Sequence, residues 1–262
     1  MLGLAWDAHA CVTATIAGGQ PQTASPRRID VDPRQSEQVA ECLAQCIREV
    51  GSPPGQVVVT VPAWASDQDR EVLRSALGAA GCERVALINE PAALALAQWF
   101  TDGQEHAELA VCSITSDLID VTALRVSETM VEVLWADGQE CERLDALSAA
   151  EVLTALLPQV QRAAEISASS QVILTSDQGD AAAVASELEQ QLDQAPIIVA
   201  DRVTAMARGA ALFATIAAGQ PSRQPVDKEP AGGGGSGCLI LLGALLTGAI
   251  CVLGLGTLPL FS

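Results

Sequence analysis

The residues best suited to metal binding or nucleophilic chemistry in this chain are eight cysteines and two histidines. Their spacing argues against both. No cysteine pair has the CxxC spacing of a zinc ribbon or a dithiol redox site, and neither His9 nor His106 has a nucleophile or a set of ligands to work with. Cys42 and Cys46 fall one turn apart on the apolar face of a helix, and Cys112 lies in an apolar strand, so these thiols read as small buried hydrophobes. No metal site and no disulfide framework is expected, and a reducing compartment is the simpler setting.

Charge narrows the partners. The formal net charge is -18, and the run from Cys238 to Ser262 contributes none of it, so the part that precedes this run is strongly acidic. Such a field repels phosphate backbones, no basic stripe offsets it, and nucleic-acid binding is not expected. Nearly half of the residues are apolar (49%) while aromatics are scarce (3%) and tyrosine is absent, so the core must be built from Ala, Leu and Val.

The elements that would position any site can be read from periodicity. Strands are predicted near Leu2 to Ala5, Cys11 to Ile16 and Arg28 to Val31. A helix follows, with Asp32 as cap, Pro33 in its first turn, Gln35 at capping-box spacing, an apolar stripe of Val39, Cys42, Leu43, Cys46, Ile47 and Val50, and Gly51 as its end. Gln56 to Val61 is a β-branched run suited to a strand buried on both faces. Ser66 then caps a helix that stops at Gly81, Val85 to Ile88 is a strand, and Pro91 to Phe100 is helical.

The second half repeats this order. Leu109 to Ile114, Asp120 to Val126 and Met130 to Trp135 read as strands, and a helix starts near Ser148 with Glu151 at capping-box spacing, divided at Pro158. Gln171 to Thr175 is a strand, Asp180 to Leu192 a helix, Ile197 to Ala200 a strand and Arg202 to Ala217 a helix. Two βββαβαβα halves predict a duplicated α/β fold with a cleft between lobes at 1–104 and 105–219.

The letters sharpen this. VTVPAWASDQDR, then AAG, then INEPAALALA, with DVT at Asp120 to Thr122, VILT at Val172 to Thr175 and AMARGAALFATI at Ala205 to Ile216, resemble the ATPase domain of DnaK-type heat-shock chaperones. The resemblance covers most of residues 1–217. It implies an actin-like, ribonuclease H-like fold reduced to a minimal core, because the inserts that carry the family's peripheral subdomains are nearly absent and no substrate-binding β-domain follows.

It also assigns positions. Pro62 and Arg70 match the family's proline switch and arginine relay, and Glu90 and Asp120 match its cleft carboxylates near Mg²⁺ and water. Each has a plain structural reading beside this: a strand terminator for Pro62, a solvated arginine paired with Asp67 or Glu71 for Arg70, a helix-start carboxylate for Glu90 and a turn residue for Asp120. The phosphate and adenosine loops are stripped. The first becomes Leu4-Ala5-Trp6-Asp7-Ala8; the second becomes Ser113 to Leu118, with Thr115 and Ser116 in glycine positions; the third becomes Thr175 to Asp180, with Thr175 and Ser176 at its start. Backbone N–H groups approach phosphates where glycines allow it. The sole lysine, Lys228, lies far from all three loops, and Asp7, Asp117, Asp120 and Asp177 add negative charge. Asp7 would replace the missing carboxylate through a bound magnesium ion, or Trp6 beside it would plug the cleft.

Residues 220–237 are rich in Pro, Gly and Ser and read as a flexible linker, and 238–262 is a charge-free apolar run. About 20 helical residues cross a ~30 Å hydrocarbon core, so this run reads as a single transmembrane anchor. Arg223 and Lys228 precede it and would keep the acidic domain cytoplasmic. The chain is therefore expected to be a membrane-tethered, chaperone-like pseudo-ATPase that serves an unidentified protein partner as scaffold or adaptor, with no cofactor. The alternatives are a divergent protein that still binds Mg-ATP, and a membrane-anchored actin-like filament protein.

Overall fold

The computed structural model describes residues 1–218 except 8, 33, 50–54, 104–105, 116–117, 142–146, 168–170, 177–180 and 193. Among the described residues seventeen elements follow one another: β1 (Leu2–Trp6), β2 (Ala10–Ala17), β3 (Gln20–Thr23), β4 (Arg27–Arg28), α1 (Ser36–Glu49), β5 (Gln56–Val61), α2 (Asp67–Ala79), β6 (Arg84–Asn89), α3 (Glu90–Asp102), β7 (His106–Ile114), β8 (Leu118–Ser127), β9 (Val131–Glu140), α4 (Ala149–Ser167), β10 (Val172–Ser176), α5 (Ala181–Leu192), β11 (Ile197–Ile198) and α6 (Arg202–Ala217).

The strands form two mixed sheets of the same plan. One is ordered β3-β2-β1-β5-β6, with β4 paired to β2, and the other β9-β8-β7-β10-β11. In each, the first strand pairs antiparallel with the second (β1 with β2, β7 with β8) and parallel with a later one (β1 with β5, β7 with β10). The fold is thus mixed α/β with two sheets of matching strand order.

Alternation along the central strands decides which helices cover them. Leu2, Leu4 and Trp6 of β1, with Val57, Val59 and Val61 of β5, pack under α1 and α2. Ala5 and Val58 face the other way, against α6. In the second sheet, Ala110, Cys112, Val172 and Leu174 pack under α4 and α5. Leu109, Val111 and Ile173 face α3. Each half's last helix therefore crosses over: α3 lies against β7 and β8, α6 against β1, β2 and β5, and the two helices pack on each other. Both are apolar nearly all round, as buried helices must be.

Small residues make that centre possible. A methyl on Gly209 would lie 1.8 Å from the Ala93 carbonyl oxygen, and one on Gly3 would lie 2.2 Å from the Ala211 backbone nitrogen.

Several boundaries differ from the sequence reading. The third strand is Gln20–Thr23 rather than Arg28 to Val31, because Gly18 and Gly19 (φ 60 and 75) turn the chain straight back along β2. The first helix starts at Ser36: Asp32 instead closes a turn, its carboxylate accepting from the Arg34 backbone N–H at 3.0 Å and the Gln35 side chain at 3.1 Å. Pro33, Val50 and Gly51 lie outside the described residues. Pro158 sits inside one continuous α4, whose buried Val152, Leu156, Val160 and Ala163 hold both sides of it on the second sheet.

Candidate functional site

The first turns of α3 and α6 meet through an ion pair. Glu90 follows the N-cap Asn89, and Arg202 follows the N-cap Asp201, whose carboxylate accepts from the Thr204 backbone N–H at 3.0 Å. Arg202 Nη2 donates to Glu90 Oε2 across 112 residues of chain, with both side chains largely buried. A guanidinium at a helix N-terminus opposes the helix dipole, so the carboxylate partner offsets a local cost. Glu90 gains from the dipole of its own helix as well.

Asp120 joins this pair. It sits in β8 opposite Ser113 of β7 and Gly138 of β9 and is 8% exposed. Burial pushes its carboxyl up to about 6, the nearby Glu90 and Asp137 carboxylates add to the rise, and Arg202 opposes it. Two of the matched carboxylates thus stand together, with a cation already on one of them. At the end of the parallel strands β7 and β10, Thr175 Oγ1 donates to Ser113 Oγ at 3.3 Å, both residues being buried.

Two of the three stripped loops carry internal hydrogen bonds among their described residues. Asp7 Oδ1 accepts the backbone N–H groups of His9 and Ala10, each at 2.7 Å, while the Asp7 N–H donates to the Ala10 carbonyl at 2.9 Å. In the second turn the Thr115 N–H donates to the Leu118 carbonyl at 2.9 Å, and the Leu118 N–H donates to Thr115 Oγ1 at 3.2 Å. These backbone donors therefore have partners within their own turns. Ser116, Asp117 and Asp177 lie outside the described residues.

Trp6 does not plug a cleft. Its ring lies on the α1/α2 face of the first sheet, and its Nε1 donates to the Thr60 carbonyl at 3.1 Å. The space beside the ion pair is a cavity of about 250 Å³ lined by Asp7, Ser176, Asp201 and Arg202 among others. Small-molecule pockets usually enclose about 300–1,000 Å³.

Pro62 is buried at the end of β5, and its carbonyl accepts from Ala65 at 3.1 Å. Arg70 is half-buried, and its hydrogen bonds go elsewhere than to Asp67 or Glu71. Its Nε donates to the Ala65 carbonyl at 3.1 Å and its Nη2 to Asn89 Oδ1 at 2.9 Å. Burial pulls this guanidinium below its usual range, with Asp67 and Asp69 opposing. A path of direct contacts therefore runs from the Pro62 turn through Arg70 to the N-cap of α3, next to Glu90. Arg202 was missed at the sequence level; its signal is a cation at the start of an apolar helix in the position that Glu90 holds in the first half.

A family of unknown function (DUF7159) matches residues 2–224. Curated relatives are chaperones. Chaperone protein DnaK of Cenarchaeum symbiosum is 31% identical over 107 residues, 39% of this chain and 16% of the relative. Chaperone protein HscA of Cronobacter sakazakii is 34% identical over 122 residues, 46% of this chain and 20% of the relative. HscA of Xenorhabdus nematophila is 38% identical over 111 residues, 41% of this chain and 18% of the relative. The matched segment thus spans a fifth or less of the relatives' own length.

Proposed function

We propose that this chain, which belongs to the family of unknown function DUF7159, is a chaperone-derived pseudo-ATPase: a duplicated actin-like core with its nucleotide cleft closed by its own side chains, acting as scaffold or adaptor for a protein partner at the cytoplasmic face of a membrane. Partial similarity to DnaK and HscA supports the chaperone ancestry. The observation that carries the loss of nucleotide is the Glu90–Arg202 pair. It commits the cleft carboxylate to a protein cation, while the first turn's N–H groups are committed to Asp7. Tethering rests on the apolar run 238–262, which lies outside the described residues; among those, no helix is long and apolar enough to cross a membrane.

Thermal unfolding of the full-length chain with millimolar Mg-ATP tests the nucleotide claim. A ligand at a hundred times its Kd adds about 2.7 kcal/mol, so an unchanged midpoint is expected. A rise in midpoint that Glu90→Ala abolishes would overturn it. Removal of 238–262 should release the protein from membranes, and continued retention would count against the anchor. The second reading, a divergent Mg-ATP binder using Asp7, Glu90 and Asp120, draws on the closeness of Glu90 and Asp120 and predicts that rise.

A further inference from the structure

Trp64 stands out from a fixed turn between β5 and α2. Among the described residues it is the one Trp or Phe side chain that is exposed (49%), and it belongs to none of the three core clusters. The turn beneath it is held from several directions. The Ala65 N–H donates to the Pro62 carbonyl at 3.1 Å, Arg70 Nε donates to the Ala65 carbonyl at 3.1 Å, and the Ser66–Asp69 capping box closes the start of α2. The backbone that carries the indole is thus ordered before any partner arrives, which removes an ordering cost from binding.

The charges that follow it in the chain are mostly of one sign. Asp67 and Asp69 lie in the first turn of α2 and Glu71 in the next, with Asp67 and Glu71 exposed and one turn apart on the same side of the helix. Arg70 does not offset them at the surface, because it turns inward to Ala65 and to Asn89. Arg74 meets Glu71 at 3.4 Å in an exposed pair, and such pairs hold little. Two first-turn carboxylates outweigh the partial positive charge, about half a unit, of a helix start.

We propose that the Trp64 turn and the exposed side of α2 form a docking surface for a basic, extended segment of a partner protein, with an arginine stacked on the indole and neighbouring cations facing Asp67 and Glu71. The proposal rests on the scaffold reading above and names the chemistry of its partner. A guanidinium over an indole face gains from the ring quadrupole, and Trp and Arg are common anchors of protein interfaces. Charge selects the occupant. With a net charge of -18, a second copy of this chain is repelled, whereas a basic segment gains from the whole field as well as from the two carboxylates.

The probe is a capped hexa-arginine peptide, titrated by calorimetry into the full-length chain in non-ionic detergent, with acrylamide quenching of tryptophan fluorescence as the second readout. Saturable binding that shields an exposed tryptophan is expected. Trp64→Ala should weaken it roughly fivefold and remove the shielding, and Asp67→Asn/Glu71→Gln should weaken it and reduce its salt dependence. Glu187→Gln/Glu189→Gln makes the same change of charge on α5, which covers the other sheet, and should leave the affinity unchanged. Absent binding, binding without shielding in the wild type, an unchanged affinity in Trp64→Ala, or equal weakening by the α5 pair overturns the proposal. A dimer of the chain that Trp64→Ala dissociates would place a second copy there and overturn it too. The wild-type shielding keeps the test decisive where a variant misfolds. Mg-ATP on the same samples separates the two readings: a raised unfolding midpoint refutes the pseudo-ATPase alone, while absent peptide binding with an unchanged midpoint refutes the docking surface alone.

Discussion

Glu90 and Arg202 occupy the same position in the two halves, the first turn of α3 and of α6, and their side chains pair where those helices meet. The matching order of the two sheets goes with two helix starts that meet face to face. Opposite charges at the two equivalent sites convert that meeting into a clasp.

Removing one partner leaves the other charged and largely buried. Breaking such a pair typically costs about 3–5 kcal/mol. Glu90→Ala and Arg202→Ala should each fall in the lower part of that range, since both side chains keep some exposure (12% and 14%). The double variant Glu90→Leu/Arg202→Met should recover much of the loss. Urea unfolding of the wild type, the two alanine variants and Glu90→Ala/Arg202→Ala gives the coupling, and independent, additive effects would refute the clasp.

Asp120 sets a pH dependence with the opposite sign to a paired carboxylate. Its folded value is raised from 3.8 to about 6, chiefly by burial, so between those values the folded state holds a proton that the unfolded state has released. Stability then falls as pH rises from about 4 to 6 and levels off above. Two units correspond to a maximum of about 3 kcal/mol. Asp120→Asn should flatten this slope and stabilise the protein at neutral pH. Unfolding midpoints at several pH values check it, and an unchanged slope in Asp120→Asn would reject Asp120 as the source.

How much of this was legible follows from how local each determinant is. The bounds of β5 and α6 coincide with the sequence reading, because a β-branched run and an uninterrupted apolar helix carry their own signal. The Ser66–Asp69 capping box is likewise local, with the Asp69 N–H donating to Ser66 Oγ at 3.2 Å and the Ser66 N–H donating to Asp69 Oδ2 at 3.0 Å. Pro158 misled because packing on the second sheet outweighed one lost backbone bond. Among the site residues, Glu90 and Asp120 were named and stand together, but Arg202 was not. Its role depends on a residue 112 positions away, and neither helix alone indicates that the two meet.

Gly209 gives a prediction in which propensity and packing disagree. Alanine in a helix interior is ordinarily about 1 kcal/mol better than glycine. Here its methyl would meet the Ala93 carbonyl oxygen at 1.8 Å, a backbone atom that no rotamer can move. Gly209→Ala should therefore destabilise by about 1–3 kcal/mol, as overpacking does. Gly78, whose Cβ position is open, should tolerate the same change. Thermal unfolding of both variants decides it, and a Gly209→Ala protein as stable as the parent would mean that α3 and α6 pack less closely.

Asp7 separates a turn residue from a ligand. One carboxylate oxygen accepts two backbone N–H groups at 2.7 Å, joining β1 to β2. Asparagine preserves an oxygen acceptor in the same place and favours the same local turn, whereas alanine leaves both donors to water. Asp7→Ala should cost about 1–2 kcal/mol, in the range of one or two net hydrogen bonds, and Asp7→Asn markedly less. The gap between the two variants should close if the charge of Asp7 serves a divalent cation, because asparagine would then lose the ligand's charge as alanine does. Unfolding with and without millimolar Mg²⁺ distinguishes the two: a turn residue gives Asn close to wild type in either condition, and a cation ligand gives a Mg²⁺-dependent stability that both variants lack.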